Sequence, residues 1–301
     1  MRKEKEEKII FTQMFKVKRS EELLSFLLNK MNTSRNNIKH LLTNHQILVN
    51  GNVISQYNYM LGVDDEVKIS KNRINDVAKN KNEPKKRLPK IEIIYEDDNF
   101  IAIDKPAGLL SVESDKDRNS AYMLVSKYLE EKSKSRCYII HRIDMETSGV
   151  LVFTKNPKIH SILRLNWNDY VITREYIAIC EGKLENKTGT LINYLGLNKN
   201  NLVYVTNPSN GKKAITDYEV LNYNNGYSLL KVLISTGRKN QIRVQLNNIG
   251  HPIVFDEKYG YTKNPINRLG LHASILEIKN PLDGNIITFK APVPGIFKSL
   301  F

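Results

Sequence analysis

Apolar positions in the first 70 residues follow a helical period twice and a strand period afterwards. Leucines three and four positions apart share one face after Ser20, which we take as a helix N-cap. Farther along, Asn50-Gly51 interrupts an apolar run and is typical of a two-residue hairpin turn. The pattern predicts helices over 20–28 and 33–42, a hairpin over 47–54 and a closing strand over 64–69. Residues 1–70 are therefore expected to form a small α/β domain.

From Ile91 onward the apolar residues form short runs typical of strands, with fewer helical stretches between them. Strands are predicted over 91–97, 100–104, 150–153, 175–180, 214–220, 228–234 and 286–289. Helices are predicted around 121–131, 158–166 and 240–248. Because the strands predominate and do not alternate regularly with helices, the pattern favours an α+β fold with a mixed, mainly antiparallel β-sheet and flanking helices. Residues 91–301 are expected to form this larger domain.

The segment 71–90 differs in composition from the regions on either side. Eight of its side chains are basic, whereas only Asp76 and Glu83 are acidic. Pro84 and Pro89 interrupt any helix there. The segment is therefore predicted to be a basic linker, which either holds phosphate groups non-specifically or remains disordered.

The charge balance points to a polyanionic partner. Lysine and arginine number 46 against 32 aspartates and glutamates, for a net charge of +14. Basic side chains that neutralise phosphates release counterions, so this excess favours nucleic-acid binding. The alternative is a compositional bias of the genome, because the chain is also rich in lysine, asparagine and isoleucine.

Other composition features narrow the class of protein further. No apolar run approaches the roughly 18 residues of a membrane span, and no signal-like apolar segment follows the charged start of the chain. Cys137 and Cys180 form neither a disulfide framework nor a zinc-binding spacing. A cytoplasmic protein without a metal ion or membrane partner is expected.

The segment 141–153 carries the most informative chemistry. Asp144 lies between Arg142 and the turn Thr147-Ser148-Gly149, directly ahead of a short apolar strand. A turn that contains glycine and leads into a strand can present a side chain to a ligand. The simpler interpretation is a polar turn in which Asp144 only caps the amides of Thr147 or Ser148.

Three further segments, taken in order with 141–149, resemble the motifs of the RluA family of pseudouridine synthases. They are Asp104-Lys105-Pro106-Ala107-Gly108, Thr173-Arg174-Glu175-Tyr176 and the run 235–244, which reads STGRKNQIRV. Near-matches continue at 250–253, 256–260 and 271–273, so the resemblance extends from about residue 91 to residue 294. The resemblance implies an RNA-directed isomerase that needs no cofactor and converts uridine to pseudouridine.

The resemblance also assigns the central residues of the site. Asp144 matches the essential aspartate, which attacks C1′ or abstracts a ribose proton and needs a nearby cation to stay ionised. Arg243 matches the arginine that pairs with it. Tyr176 matches the tyrosine that stacks on the target base and assists proton removal from C5.

Other matched positions are expected to contact RNA. Arg142 matches an arginine that fills the gap left by the extruded base. His141 supports the loop or touches phosphate. Arg238 and Lys239 precede a predicted helix start, where free backbone amides favour phosphate binding.

Residues 10–70 resemble the S4 RNA-binding domain, with two short helices, an Asn-Gly hairpin and a last strand. In that family the second helix and the hairpin present basic residues to structured RNA. Arg35 and Lys39, with Asn36 and His40, hold the matching positions. The alternative is an ordinary solvated helix face.

The chain departs from the family pattern at four positions of interest. Lys239-Asn240 replaces the usual Thr/Ser-His, Gln245 replaces a closing histidine, and Met145 stands where arginine or lysine is commoner. The expected substrate is large-subunit ribosomal RNA, with tRNA as the runner-up. The competing hypotheses are an inactive S4-type ribosome-assembly factor and a hydrolase that pairs Asp144 with a second carboxylate.

Overall fold

The computed structural model describes residues 10–18, 21–56, 59–74, 91–114, 119–260 and 265–301. The chain divides into two compact units, Met1–Arg87 and Leu88–Phe301. Most of the predicted linker over 71–90 lies outside the described residues. No helix in the described part of the chain is both long enough and apolar enough to cross a bilayer.

The described residues of the first unit form two helices and six short strands. Its elements are β1 (Phe11–Lys16), β2 (Glu21–Glu22), α1 (Leu23–Lys30), α2 (Arg35–Thr43), β3 (Ile47–Val49), β4 (Asn52–Val53), β5 (Met60–Leu61) and β6 (Glu66–Ser70). Strands β1, β6, β3 and β4 form an antiparallel sheet in that order, and β2 pairs with β5. Leucines and isoleucines from both helices and the sheet form its buried core.

Local sequence explains the boundaries of these elements. Ser34 caps α2 by accepting a hydrogen bond from the amide of Asn37 at 3.2 Å. Asn50 and Gly51 have positive φ angles and form the predicted hairpin turn. The predicted N-cap at Ser20 is wrong, since α1 begins at Leu23 and its N-cap is Glu22; Ser20 itself is outside the described residues. Strand β1 was not predicted, because its residues are mostly exposed and show no apolar alternation.

The second unit contains the long sheet. Its strands are β7 (Glu92–Glu96), β8 (Phe100–Lys105), β9 (Tyr138–Ile139), β10 (Ser148–Thr154), β11 (Val171–Glu181), β12 (Thr188–Leu197), β13 (Val203–Thr206), β14 (Lys212–Asn224), β15 (Tyr227–Ile234), β16 (Leu271–Lys279) and β17 (Ile286–Lys290). Its helices are α3 (Ala121–Ser133), α4 (Pro157–Tyr170), α5 (Gln241–Asn248) and α6 (Gly295–Lys298).

The sheet order is β13-β12-β14-β15-β11-β16-β10-β8-β7, with β9 paired to β10 and β17 paired to β16. Neighbouring strands within the described residues are antiparallel except for β10 and β16, which run parallel from Ser148 and Gly149. The predicted α+β class with a mixed, mainly antiparallel sheet is confirmed. The seven predicted strands and three predicted helices all form, and β9, β12, β13, β16 and α6 are additions.

Burial on both faces explains the continuous apolar run of β10. Val150 and Val152 pack with α4 on one face, whereas Leu151 and Phe153 pack with α3 on the other. Helix α5 covers β11, β15 and β16 farther along the sheet through Ile242 and Leu246. The loop before β10 and the loop before α5 therefore meet over the middle of the sheet.

Candidate active site

The loop that carries Asp144 is held on both sides by the segment 105–111. The Ser111 hydroxyl donates to the Ile143 carbonyl at 2.6 Å and accepts from the Ile143 amide at 3.2 Å. The Met145 carbonyl accepts from the Gly108 amide at 2.8 Å and from Lys105 Nζ at 3.0 Å. Hydrogen bonds thus hold the backbones of Ile143 and Met145, the two neighbours of Asp144, and fix the position from which its carboxylate projects.

Lys105 is fully buried and acts as a clamp between these loops. Its Nζ also donates to the carbonyls of Leu109 at 2.7 Å and Pro106 at 3.0 Å. Three acceptors match the three protons of an ammonium group. Burial lowers the pKa of Lys105 to about 7, against the opposing attraction of Glu146 and Asp144.

His141 supports the same loop from the other end. Its Nε2 accepts a hydrogen bond from the Val152 amide at 2.9 Å, and its ring stacks on Trp167 at a centroid distance of 5.4 Å. Burial, and to a lesser degree Arg174, lowers the pKa of His141 to about 3. The ring is therefore neutral near pH 7 and is held between β10 and Trp167 of α4.

Asp144 borders a cavity of about 770 Å³, a volume within the usual range of ligand sites. Its Oδ2 accepts a hydrogen bond from Asn240 Nδ2 at 2.6 Å. The same oxygen lies 3.7 Å from Arg243 Nη1. The amide of Thr147 bonds to the backbone carbonyl of Asp144 at 3.2 Å. The simpler interpretation, an aspartate side chain that only caps turn amides, is therefore wrong.

Arg243 is buried within α5 and its main partner is Asp256. Its Nε and Nη2 donate to the two oxygens of Asp256 at 2.8 and 2.7 Å, a bidentate pair. Although burial lowers the pKa of Arg243, the Asp256 carboxylate raises it well above its ordinary range. Arg243 therefore brings a permanent positive charge to Asp144 as an ion pair without a hydrogen bond between them.

Tyr176 and Arg142 line the same cavity as Asp144. Tyr176 comes from β11 and is partly buried, whereas Arg142 is exposed. Burial raises the pKa of Tyr176 to about 12, so its hydroxyl keeps its proton near neutral pH. An aromatic ring, an exposed guanidinium and a carboxylate thus face one space large enough for a nucleoside.

Glu146 is a third carboxylate near Arg243, and its Oε2 accepts a hydrogen bond from Nη1 at 3.3 Å. It borders a neighbouring cavity of about 530 Å³, whereas Asp144 borders the larger one. The two acids therefore open into different spaces and do not flank one bond, which argues against the hydrolase hypothesis. In the described part of the chain, no group of three or more histidine, cysteine, aspartate or glutamate side chains could hold a metal ion.

Arg238 and Lys239 lie exposed on the rim of the cavity, ahead of α5. The expected set of free amides is reduced, because the Arg238 amide donates to Gln241 Oε1 at 3.0 Å. Gln245 is fully buried and connects α5 to β12 and β14 through Asn193 and Thr216. Replacement of the usual histidine at this position therefore affects packing and does not reach the cavity.

Gly149 shapes the seam next to the Asp144 loop. Its φ of +109° falls in a region that side chains rarely adopt. A Cβ at this position would collide with the backbone of Ala273 in β16. Only glycine therefore allows β10 to approach β16 directly after the turn.

Arg35 and Lys39 belong to the first unit and are exposed on α2, as the helical pattern predicted. Three further contacts within the second unit were not predicted. Asp256 anchors Arg243, while Lys258 Nζ and the Tyr259 hydroxyl each lie 3.0 Å from Asn240 Oδ1. The run 256–260 is a near-match of the family motifs, but no pattern within it indicates these partners.

Comparisons with known proteins identify the family of the chain. A family model described as RNA pseudouridylate synthase matches residues 99–248. The chain is 30% identical over 287 residues to the RNA pseudouridine synthase YlyB of Bacillus subtilis, with 92% of this chain and 91% of that protein covered. It is 34% identical over 221 residues to ribosomal large subunit pseudouridine synthase D of Nitrosomonas europaea, covering 70% of this chain and 64% of that protein.

A solved structure shares the fold. Human RNA pseudouridylate synthase domain containing 1 superposes with a TM-score of 0.57 at 23% identity, covering 69% of this chain and 85% of that one. Together with the extent of the sequence matches, these findings establish the family. The chain belongs to the RluA family of RNA pseudouridine synthases, and it is an isomerase that acts on RNA.

Proposed function

We propose that this enzyme converts specific uridines of large-subunit ribosomal RNA to pseudouridine, with Asp144 as nucleophile and the target base flipped out of the RNA. The observation that carries the mechanism is the position of Asp144, which borders the cavity beside the charge of Arg243. The ribosomal substrate is supported by the name of the Nitrosomonas europaea relative. A cytoplasmic location follows from that substrate.

Extrusion of the base comes first, because a stacked uridine hides both C1′ and C5. Arg142, which is exposed and lines the cavity, is proposed to occupy the gap in the RNA while the base enters the cavity. Tyr176 offers its ring for stacking on the uracil. Since its hydroxyl keeps a proton near neutral pH, removal of the C5 proton by Tyr176 would require that hydroxyl to lose its own proton first.

The isomerisation breaks the N1–C1′ bond and forms a C5–C1′ bond, while C5 loses a proton and N1 gains one. The Asp144 carboxylate assists either by attack on C1′ or by removal of a ribose proton. Arg243 places its positive charge 3.7 Å from the Asp144 carboxylate, and the geometry of Arg243 is maintained by Asp256. The pair is thus poised for the reaction before any RNA binds.

The first unit is proposed to be an S4-like RNA-binding domain that targets the enzyme to structured RNA. The exposed face of α2, with Arg35 and Lys39, supports this assignment. The proposed domains are residues 1–70 and the synthase domain 91–301, joined by the basic segment 71–90. Arg238 and Lys239 are proposed to add phosphate contacts at the rim of the cavity.

The decisive experiment incubates the full chain with transcripts of large-subunit ribosomal RNA and of tRNAs, and then maps pseudouridine. Asp144→Asn is compared with Glu146→Gln, a matched change in the same loop beside the same arginine nitrogen. Modification of ribosomal RNA by the wild type and Glu146→Gln, but not by Asp144→Asn, is expected. Modification that persists in Asp144→Asn contradicts the nucleophile assignment.

Other outcomes of this experiment distinguish the remaining hypotheses. Modification of tRNA alone favours the runner-up substrate. Tight binding of ribosomal RNA without modification by any variant favours the assembly-factor hypothesis.

The targeting role has its own test. Arg35→Gln with Lys39→Gln is expected to weaken RNA binding and to reduce the slope of log affinity against log salt by about two, with kcat unchanged. Lys279→Gln with Lys290→Gln is the control, since both lysines are exposed on β16 and β17. Equal effects of the two double variants would contradict a specific role for α2.

A further inference from the structure

Asn240 has contacts that its place at a helix start does not explain. It is the N-cap of α5, yet its side chain makes no capping hydrogen bond, which is the usual function of asparagine there. Its φ of 51° lies in the left-handed region, which asparagine tolerates better than most residues. The residue is buried, so its amide needs partners inside the protein.

These partners determine the orientation of the amide. Lys258 Nζ donates to Asn240 Oδ1 at 3.0 Å, and the Tyr259 hydroxyl lies 3.0 Å from the same oxygen. The Tyr259 oxygen accepts from the Val203 amide at 3.3 Å, which leaves its proton for Asn240. Since an ammonium group only donates, Oδ1 must face Lys258, and Nδ2 must face Asp144.

We propose that Asn240 is a positioning residue that fixes the Asp144 carboxylate for reaction, with Lys258 and Tyr259 acting through it. This inference rests on the proposed role of Asp144. The Asn240 amide holds Oδ2 at 2.6 Å, whereas Oδ1 of Asp144 receives no hydrogen bond from the described residues. Oδ1 is therefore the oxygen left for the substrate.

A neutral donor suits this task better than a second cation. An amide fixes the direction of the carboxylate by a hydrogen bond but leaves its full negative charge in place. Arg243 supplies charge at 3.7 Å without that directional bond. Asn240 and Arg243 thus divide orientation and charge stabilisation between them.

The competing explanation is that Asn240 only ties α5 to the Asp144 loop. Asn240→Gly measures what the side chain contributes to kcat, because glycine adopts the same left-handed backbone without strain and removes the whole side chain. Asn225→Gly is a matched control, since Asn225 has a φ of 52° in the exposed β14–β15 turn. Both variants are assayed for kcat, KM and melting temperature on the RNA that the wild type modifies.

We expect kcat to fall about 10- to 100-fold in Asn240→Gly, with KM within about twofold, because a hydrogen bond to a charged group is lost. Asn225→Gly should keep the wild-type kcat. Equal kcat values for the two variants would overturn the inference, whatever their melting temperatures.

Asn240→Asp adds a readout that a structural tie would not produce. At neutral pH the introduced carboxylate repels Asp144 and cannot donate to it. As pH falls, one of the two carboxylates gains a proton and the donor is restored, so activity relative to wild type should rise. The acidic groups around this position include Asp144, Glu146 and Asp256. The basic groups include Lys105, Lys239, Arg243 and Lys258, and the nearby tyrosines are Tyr176 and Tyr259. A constant activity ratio across pH would overturn the inference.

Tyr259→Phe tests the outer part of the arrangement. It removes one donor to Asn240 Oδ1 and retains the ring, whose centroid lies 5.4 Å from the Arg243 guanidinium. A decrease in kcat of about three- to tenfold is expected, smaller than that of Asn240→Gly. An active wild type with an inactive Asp144→Asn keeps the proposed function intact even if every Asn240 result is negative, so the two failures are distinguishable.

Discussion

Two aspartates flank Arg243, and the protein holds them in opposite ways. The side chain of Asp256 is 1% exposed, and both of its carboxylate oxygens accept hydrogen bonds from the Arg243 guanidinium. Its Oδ1 also accepts hydrogen bonds from the backbone amides of Lys258 and Tyr259, each at 3.1 Å. Asp144 is 29% exposed, with one hydrogen bond to its carboxylate and an ion pair at 3.7 Å.

The difference shows how a buried arginine can serve a reactive carboxylate without closing on it. A guanidinium held only by Asp144 would form the bidentate pair there and occupy both oxygens. Because Asp256 already takes that geometry, Arg243 offers Asp144 charge alone. One aspartate is fully satisfied so that the other remains available.

The largest expected effect is a loss of catalysis without a loss of folding stability when Asp144 is replaced. Asp144→Asn should lower kcat/KM by about 10⁴-fold or more, as expected for loss of a nucleophile. Its free energy of unfolding should stay within about 0.5 kcal/mol of wild type, since the side chain is partly exposed. Urea denaturation and single-turnover assays on one RNA measure both quantities. A large loss of stability would erase the contrast with Asp256.

Asp256→Asn, by contrast, should mainly lower the folding stability. Removing the charge of one partner in a buried ion pair is expected to cost about 3–5 kcal/mol of unfolding free energy, because the buried guanidinium of Arg243 loses its bidentate partner. Asp217→Asn, which alters an exposed hydrogen bond to Thr190, is the control and should cost less than about 1 kcal/mol. Urea denaturation checks both, and equal stabilities for the two variants would contradict the anchoring role.

The two cations near Asp144, Arg243 and Lys105, should respond differently to pH. Arg243 stays charged, whereas Lys105 releases its proton from the folded protein near pH 7 and from the unfolded chain near 10.5. The unfolded state then binds more protons between these values, so this group makes folding stability rise with pH there. A neutral amine has two donors for three carbonyls, so activity should fall about tenfold above pH 7 as the Asp144 loop loosens.

Lys105→Met tests this pH response. The variant should be about tenfold less active at pH 6 and should lack the decline above pH 7 that involves Lys105. Lys155→Met is the control, since Lys155 is a half-buried lysine that pairs with Glu96 at 3.4 Å. An unchanged alkaline limb in Lys105→Met would show that another group governs it.

The smallest expected effect concerns Met145, the exposed residue directly after Asp144. Met145 is 42% exposed, and its backbone carbonyl rather than its side chain holds the loop. Met145→Arg should tighten RNA binding a few-fold and steepen its salt dependence by about one unit. Ile286→Arg, at a residue 63% exposed on β17, makes the same charge change away from the cavity and should leave affinity unchanged. Filter-binding titrations at several salt concentrations compare the two.

Sequence reasoning predicted the elements whose burial leaves a regular trace. Strand β10 is buried on both faces and reads as an unbroken apolar run, so it was predicted. Strand β12 was missed because Gly189, Asn193 and Gly196 interrupt its apolar pattern. Strand β1 was missed because its sheet face is small and most of its residues are exposed.

The site residues within the motifs could be predicted from the sequence, whereas their long-range partners could not. Asp144, Tyr176 and Arg243 were identified from the ordered motifs, and the fold brings all three to one cavity. The contacts of Lys105 with Met145 and of Asn240 with Asp144 join residues 40 and 96 positions apart. No local pattern encodes such pairings, so Asn240 could be noticed as a departure from the family but not understood as a partner.

Trp167 is the single tryptophan of the chain, and it lies in the wall of the Asp144 cavity, stacked on His141. Intrinsic fluorescence excited at the indole band therefore originates from one place in the molecule. A nucleotide that enters the cavity changes the polarity and quenching around that indole. The enzyme thus contains its own optical reporter, which can time base entry in stopped-flow experiments without any attached dye.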